Sequence, residues 1–242
     1  MLRNTTNRLA EQAKVARATT SKTISVYWHT IVSENKEGAI TPDQISQQMD
    51  TVNKDFADSG ITFKLVASDT TVNSDWFSKM VKYFTPEETE MKIALHKGGP
   101  GDLNVYTAQL TGYLGYTTVP EAYASQPKND GTILDYRTLP GGPWGKANSL
   151  GRTATHEFGH WLGLFHVFEG GCDGKSGDYV DDTPPQKASH TGCQTDLPAS
   201  CPGSAHDLVR NFMDYSDDDC VDSFTPGQIA RMHQIGSALR GL

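Results

Sequence analysis

The spacing H-E-x-x-H-x-x-G-x-x-H, carried by His156, Glu157, His160, Gly163 and His166, constrains this chain more than any other stretch. Two histidines four apart on a helix lie one above the other, so both imidazoles reach a single ion. Glu157 projects from a neighbouring position, placed to take a proton from a metal-bound water. Gly163 supplies the flexible residue at which the helix ends, and the chain then turns so that His166 approaches the same ion from outside the helix. Three neutral nitrogens leave the fourth position of a tetrahedral zinc open, which separates a catalytic site from a structural one. The intervening Phe158, Trp161, Leu162, Leu164 and Phe165 are apolar, as expected of a helix at the floor of a cleft. A histidine pair at this spacing is more often hydrogen-bonded or solvent-facing than metal-binding, but the longer pattern weighs heavily against that reading.

The 242 residues form one large domain or two small ones, with enough length to bury a core. A net charge of -8 and the lack of a basic cluster argue against nucleic acid or an anionic membrane as partner. No apolar run approaches the roughly 20 residues that span a bilayer. Met1 to Thr20 is polar without an apolar signal core, so either a signal and pro-segment have been removed or the protein stays inside the cell. The cysteines bear on this choice. Cys172, Cys193, Cys201 and Cys220 all fall in the last third with no C-x-x-C pair, which reads as two disulfides, a second zinc site being the competing reading. Disulfides imply an oxidising compartment, and beside this motif they imply secretion. Asn4-Thr5-Thr6 is a glycosylation triplet of a common kind.

Asn7 to Arg17 reads as a polar surface arm. Thr23 to Val32 is β-branched and aromatic, a central strand buried on both faces, with His29 as a hydrogen-bonded core histidine. Thr41-Pro42 opens a helix whose Ile45, Met49, Val52 and Phe56 recur at helical spacing, and Ile61 to Ala67 alternates as the next, parallel strand. Asp75 to Tyr83 is a short irregular or helical segment, and a helix from Thr85 runs to about His96. Leu103 to Ala108 is a third strand and a natural cleft rim, whose exposed edge would pair with an extended peptide. A glycine-rich turn over 111–115, a strand over Gly131 to Tyr136 and a loop over Pro140 to Gly145 lead to the zinc helix, which begins near Leu150 to Arg152. The stretch from His166 to Arg210 has little periodicity and needs fastening, which the cysteines supply. Asp178, Asp181 and Asp182 with Thr183 concentrate carboxylates without neutralising cations: a calcium site, or equally a solvated acidic turn. Thr225-Pro226 caps a final helix to about Leu239.

The zinc motif followed by Asn211-Phe212-Met213-Asp214-Tyr215 resembles the metzincin metalloproteases, in which a methionine turn lies beneath the metal. Within them the chain is similar to the pappalysin family, of the ulilysin and fungal extracellular type, through Leu103 to Tyr106, Gly170-Gly171-Cys172, Gly177 to Val180, Asp182-Thr183-Pro184 and Asn211 to Cys220. The resemblance implies an α+β metzincin-type catalytic domain: a mixed twisted sheet with an α/β-like beginning, backing helices and an active-site helix, then an irregular disulfide-stapled part. The expected division is an arm over 1–22, an N-terminal subdomain over 23–163 and a C-terminal subdomain over 164–242. It implies His156, His160 and His166 as zinc ligands, Glu157 as general base, Met213 as the turn methionine and Tyr215 as a tyrosine that approaches the metal. It pairs Cys172 with Cys201 and Cys193 with Cys220. In ulilysin-like members the aspartate matched by Asp218 lies at the base of the S1′ pocket and selects a basic residue after the scissile bond; a solvated acidic turn is the alternative. Some fungal relatives carry a further cysteine pair where this chain has Thr117 and Thr132, and no pro-segment cysteine is present, so the chain reads as a mature form.

The expectation is therefore a secreted, monomeric zinc endopeptidase acting on proteins or peptides. A zinc hydrolase of non-peptide substrates shares the same ligand set. A non-catalytic binding module that kept zinc for stability would be expected to lose Glu157 first, and Glu157 is present.

Overall fold

The computed structural model describes residues 21–80, 84–173, 177–194 and 197–242. The expectations for Asn4 and for the arm over 7–17 lie outside the described residues. Among these residues the chain runs β1 (Lys22–Val32), α1 (Pro42–Asp55), β2 (Ile61–Val72), α2 (Ser74–Ser78), α3 (Pro86–Leu95), β3 (Leu103–Ala108), β4 (Gly115–Thr117), β5 (Thr132–Asp135), α4 (Gly145–Asn148), α5 (Arg152–Trp161) and α6 (Pro226–Ile235). The α5 helix carries the zinc motif.

The sheet order is β2-β1-β3-β5-β4, with the first four strands parallel and β4 antiparallel to β5. Central β1 and β3 are the most apolar because helices cover both of their faces, as parallel strands require. One face packs Ile24, Val26, Trp28 and Val105 against α1 and α5, through Ile45, Met49, Val52, Phe158 and Trp161. The other packs Ile31, Tyr106 and Ile133 against α2 and α3, through Phe77 and Met91. Helix starts follow local chemistry. Thr41 accepts from Gln44 N–H while the Gln44 side chain returns a bond to Thr41 N–H, and Thr225 with Gln228 repeats the arrangement at α6.

Two expectations need correcting. Leu103–Ala108 lies inside the sheet, flanked by β1 and β5, so it has no free edge to serve as a rim. The edge is β4, which starts at Gly115, the last residue of the expected turn, and continues through Tyr116 and Thr117, for which the sequence suggested no strand; its three residues are a strand because β5 pairs with them, not because of intrinsic propensity. There Thr117 and Thr132 face each other in register with their hydroxyls 2.8 Å apart, a cross-strand hydrogen bond. The second strand is also longer than its alternation predicts, running to Val72 along the opposite, mostly exposed edge.

His29 is buried, with Nδ1 2.9 Å from Asp69 Oδ1 and Nε2 3.2 Å from Asn104 Oδ1, a core histidine with two partners.

A candidate zinc centre between a helix and a methionine turn

The start of α5 is set from a distance. Gly151 takes φ +90°, and its carbonyl accepts from Gln48 Nε2 at 2.8 Å. Asp218 Oδ2 accepts from the backbone N–H of Leu150 at 2.9 Å and of Arg152 at 3.3 Å, so a carboxylate far along the chain satisfies the free donors of the helix N-terminus. The helix ends at Leu162 and Gly163, whose φ is +95°; any Cβ there would collide with Ile235. That turn redirects the chain and brings His166 back over the helix.

The three histidines then meet. His160 Nε2 lies 3.0 Å from His156 Nε2 and 3.1 Å from His166 Nε2. Two of them are oriented by backbone carbonyls: His156 Nδ1–H donates to Phe212 O and His160 Nδ1–H to Leu164 O, both at 2.7 Å. These bonds fix the tautomer and leave Nε2 lone pairs facing one another, an arrangement that is repulsive unless a cation lies among them. Burial holds all three rings neutral, His160 at about 4, His166 at about 3 and His156 well below its ordinary value. Neutral, converging and preoriented, the set fits a zinc ion.

Beneath it lies Met213, fully buried. Gly159 makes this possible, since a Cβ there would come within 2.6 Å of Met213 Sδ. Asn211 anchors the turn: its Oδ1 accepts from Met213 N–H at 2.9 Å, and its side-chain amide pairs with that of Gln228 on α6. Tyr215 stands on the open side, half exposed, with its hydroxyl 3.1 Å from His166 Nε2. Glu157 is 6% exposed, and desolvation pushes its carboxyl up to about 8. Gly115 of β4 approaches it so closely that a Cβ would lie 3.0 Å from Glu157 Cγ.

The three histidines, Glu157 and Tyr215 line a cleft of about 880 Å³, with residues 112–117 and the α5 residues Arg152 and Thr153 among its other walls. Asp217 and Asp218 line its far end. Asp218 is buried while Asp219 is exposed, and burial raises the Asp218 carboxyl to about 6. Arg152 lies alongside, its Nη1 donating to Asp218 O at 2.7 Å and its Nε 3.5 Å from Asp55 Oδ2. The sequence reading missed Gly159, Arg152, Asp55 and Gln48; only Gly159 carried a signal, as a residue without a side chain inside a helix.

The disulfides join Cys172 to Cys201 and Cys193 to Cys220. At the acidic loop, Asp178 Oδ1 accepts from Val180 N–H and Thr183 Oγ1, while its buried Oδ2 has no partner among the described residues. Asp182 is engaged elsewhere, accepting from Thr225 Oγ1 and Gly227 N–H at the start of α6, and Asp181 is exposed.

A mixed sheet over a helix bearing two histidines, a third histidine returned to them by the chain beyond Gly163, and a buried methionine turn together define a metzincin-type zinc metalloprotease. The profile of the M43 peptidases, described as pregnancy-associated plasma protein-A, matches residues 145–236. An extracellular metalloprotease of Verticillium alfalfae is 42% identical over 93% of this chain and 78% of its own, and one of Colletotrichum graminicola is 41% identical over 95% and 83%. Mature mirolysin of Tannerella forsythia in complex with a cleaved peptide superposes with a TM-score of 0.76 at 26% identity, over 92% of this chain and 94% of that one. The chain belongs to the pappalysin (M43) family of extracellular zinc metalloproteases.

Proposed function

We propose that the protein is an endopeptidase that binds extended peptides along β4, with Glu157 as general base and a preference for Arg or Lys just after the scissile bond. The observation that carries this reading is the close approach of Gly115, on the edge strand β4, to Glu157, in the cleft that the three histidines also line. When bound, zinc supplies a Lewis acid that polarises water and the peptide carbonyl, and a positive charge that opposes the rise of the Glu157 carboxyl. The free edge of β4 offers main-chain donors and acceptors to a substrate backbone, which aligns the scissile bond over α5. Glu157 takes a proton from the attacking water and returns it to the leaving amine. The Tyr215 hydroxyl, beside the ligand set and open to the cleft, donates to the oxygen on which charge develops.

Asp218 provides the selectivity. An apolar side chain in this pocket leaves a desolvated carboxylate without a new partner, whereas a guanidinium satisfies it bidentately and an ammonium at one point. Arg should therefore exceed Lys. Calcium belongs to the same proposal: the unpartnered Asp178 Oδ2, with the Thr183 hydroxyl beside the same carboxyl, is a hard-oxygen environment suited to it.

Incubation with denatured casein, with and without a chelator, tests the reading. Chelator-sensitive fragments whose new N-termini are Arg or Lys are expected. Intact casein in the presence of zinc would overturn the endopeptidase, and cleavage without basic enrichment would overturn the role of Asp218 alone.

A further inference from the structure

The edge strand over the site is short, and three ladder pairs with β5 are little to fix it. Behind it lies a charge pair almost without access to water. Glu88 and Lys92, one turn apart on α3, are each 1% exposed, with Nζ 2.9 Å from Oε1. Glu88 Oε2 accepts from the Tyr116 hydroxyl at 3.0 Å and from Phe84 N–H at 2.7 Å. Lys92 Nζ donates to Thr118 Oγ1 at 3.3 Å, and that hydroxyl donates in turn to Asn129 O at 2.9 Å. The pair thus grips the chain at positions 116 and 118.

Strand alternation places those two side chains behind the sheet and Gly115 on the cleft side, so close to α5 that a Cβ there would lie 3.0 Å from Glu157 Cγ and 3.1 Å from Thr153 Cγ2. A shift of Tyr116 is therefore a shift of the strand against the zinc helix. An apolar pair would fill the same space with a smaller desolvation cost, but it would not fix a hydroxyl to one position. Every polar atom of this network has a partner, the condition under which a buried charge pair orders its surroundings rather than loosening them.

We propose that Glu88, held by Lys92, is a positioning residue for the reaction: through the Tyr116 hydroxyl it sets the height of β4 over α5, and with it the register of extended peptides. This rests on β4 being the strand that substrate joins. The test compares the intact enzyme with Tyr116→Phe on two fluorogenic peptides identical around the scissile bond, one long enough to lie along β4 and one reaching a single residue to each side. The variant is expected to raise KM for the long peptide about fivefold, leaving its kcat and the short peptide's kcat/KM within about twofold, the scale of part of one charge-assisted hydrogen bond. Amide exchange should quicken over 115–118 and stay unchanged in β1 and β3. If Tyr116→Phe does not fold, Thr118→Ala and Thr118→Ser carry the same comparison, with KM for the long peptide rising in the first and recovering in the second. Equal losses on both peptides, or a lower melting temperature with unchanged long-peptide KM, would reduce the pair to a structural element and overturn the proposal. If the intact enzyme cleaves the long peptide no better than the short one, the reading of β4 itself fails.

Discussion

The chain before Leu162 and the chain after it are held together by different physics. The first is a sheet between helices, its backbone groups satisfied by ladders and helical turns and its core built from Trp28, Phe63, Phe158 and Trp161. Among its described residues the second has one α-helix, α6, continued by a π-helical segment over Gly236–Arg240, and a single isolated bridge, Asn211 to Ser223. Its order comes from two disulfides and from buried side chains that answer backbone groups. Asp214, for instance, accepts from His190 N–H at 3.0 Å and from Gln186 Nε2 at 3.2 Å, with the His190 ring against its other oxygen. The candidate zinc site draws two histidines from the first region and the third, with Met213 and Tyr215, from the second. A rigid helix sets the spacing of one pair of nitrogens, and a cross-linked irregular segment brings the rest to it.

Glu157→Ala gives the largest expected effect and leaves the comparison standing. It removes the base while all three ligands and both regions stay, so turnover should fall at least about 10³-fold with zinc content and melting temperature close to the parent. Metal analysis beside a peptide assay checks this. Near-normal activity in the variant would end the proposed mechanism.

Reduction of the disulfides is the way to break the comparison. Cysteine separations of 29 and 27 residues each correspond to about 3.5 kcal/mol by the chain-entropy relation. Amide exchange after mild reduction should rise first between residues 170 and 220, with β1 and β3 still protected. Simultaneous loss of protection in the sheet would show that the two regions unfold as one unit.

Calcium should act on the second region only. If an ion binds at Asp178, calcium added after chelation and zinc repletion should raise the melting temperature, by about 2.7 kcal/mol of stabilisation at a hundred times its Kd. Protection should grow around 178–183 and at the start of α6, where Asp182 is bonded. A melt indifferent to calcium would leave the disulfides and the Asp214 network as what holds this region.

The two regions also differed in how far their sequence could be read. The zinc motif was legible because its chemistry is local: a helix puts residues four apart on one face, whatever the rest of the chain does. The helix from Pro42 and the central strand were legible from their apolar periods. Strand β4 was not, since Gly115 to Thr117 becomes a strand only by pairing with β5. Glu88 and Lys92 look in sequence like a solvated i,i+4 pair, and only the packing of α3 on β4 shows them to be buried. Asp218 was placed near the pocket by its spacing from Met213, but its hold on Leu150 N–H spans 68 residues and leaves no local signature.

That double position of Asp218, capping a helix of the first region from the second, gives the smallest effect and the finest probe of the seam. Burial raises its carboxyl from 3.8 to about 6, so the folded state binds a proton there more tightly than the unfolded chain does. The sign follows: its contribution to stability is present below about pH 4 and is lost as pH rises to about 6. Asp218→Asn retains an acceptor for Leu150 N–H and removes the charge, so it should flatten that part of the melting profile. Selectivity runs the other way, because only the ionised carboxylate rewards a cation. The kcat/KM ratio of an Arg to a Leu substrate should therefore climb through about pH 6 in the parent, by roughly tenfold, and stay low at every pH in Asp218→Asn. A flattened melt with an unchanged Arg preference would leave Asp218 as a helix cap alone and send the search for selectivity to Asp217, which shares the cleft wall.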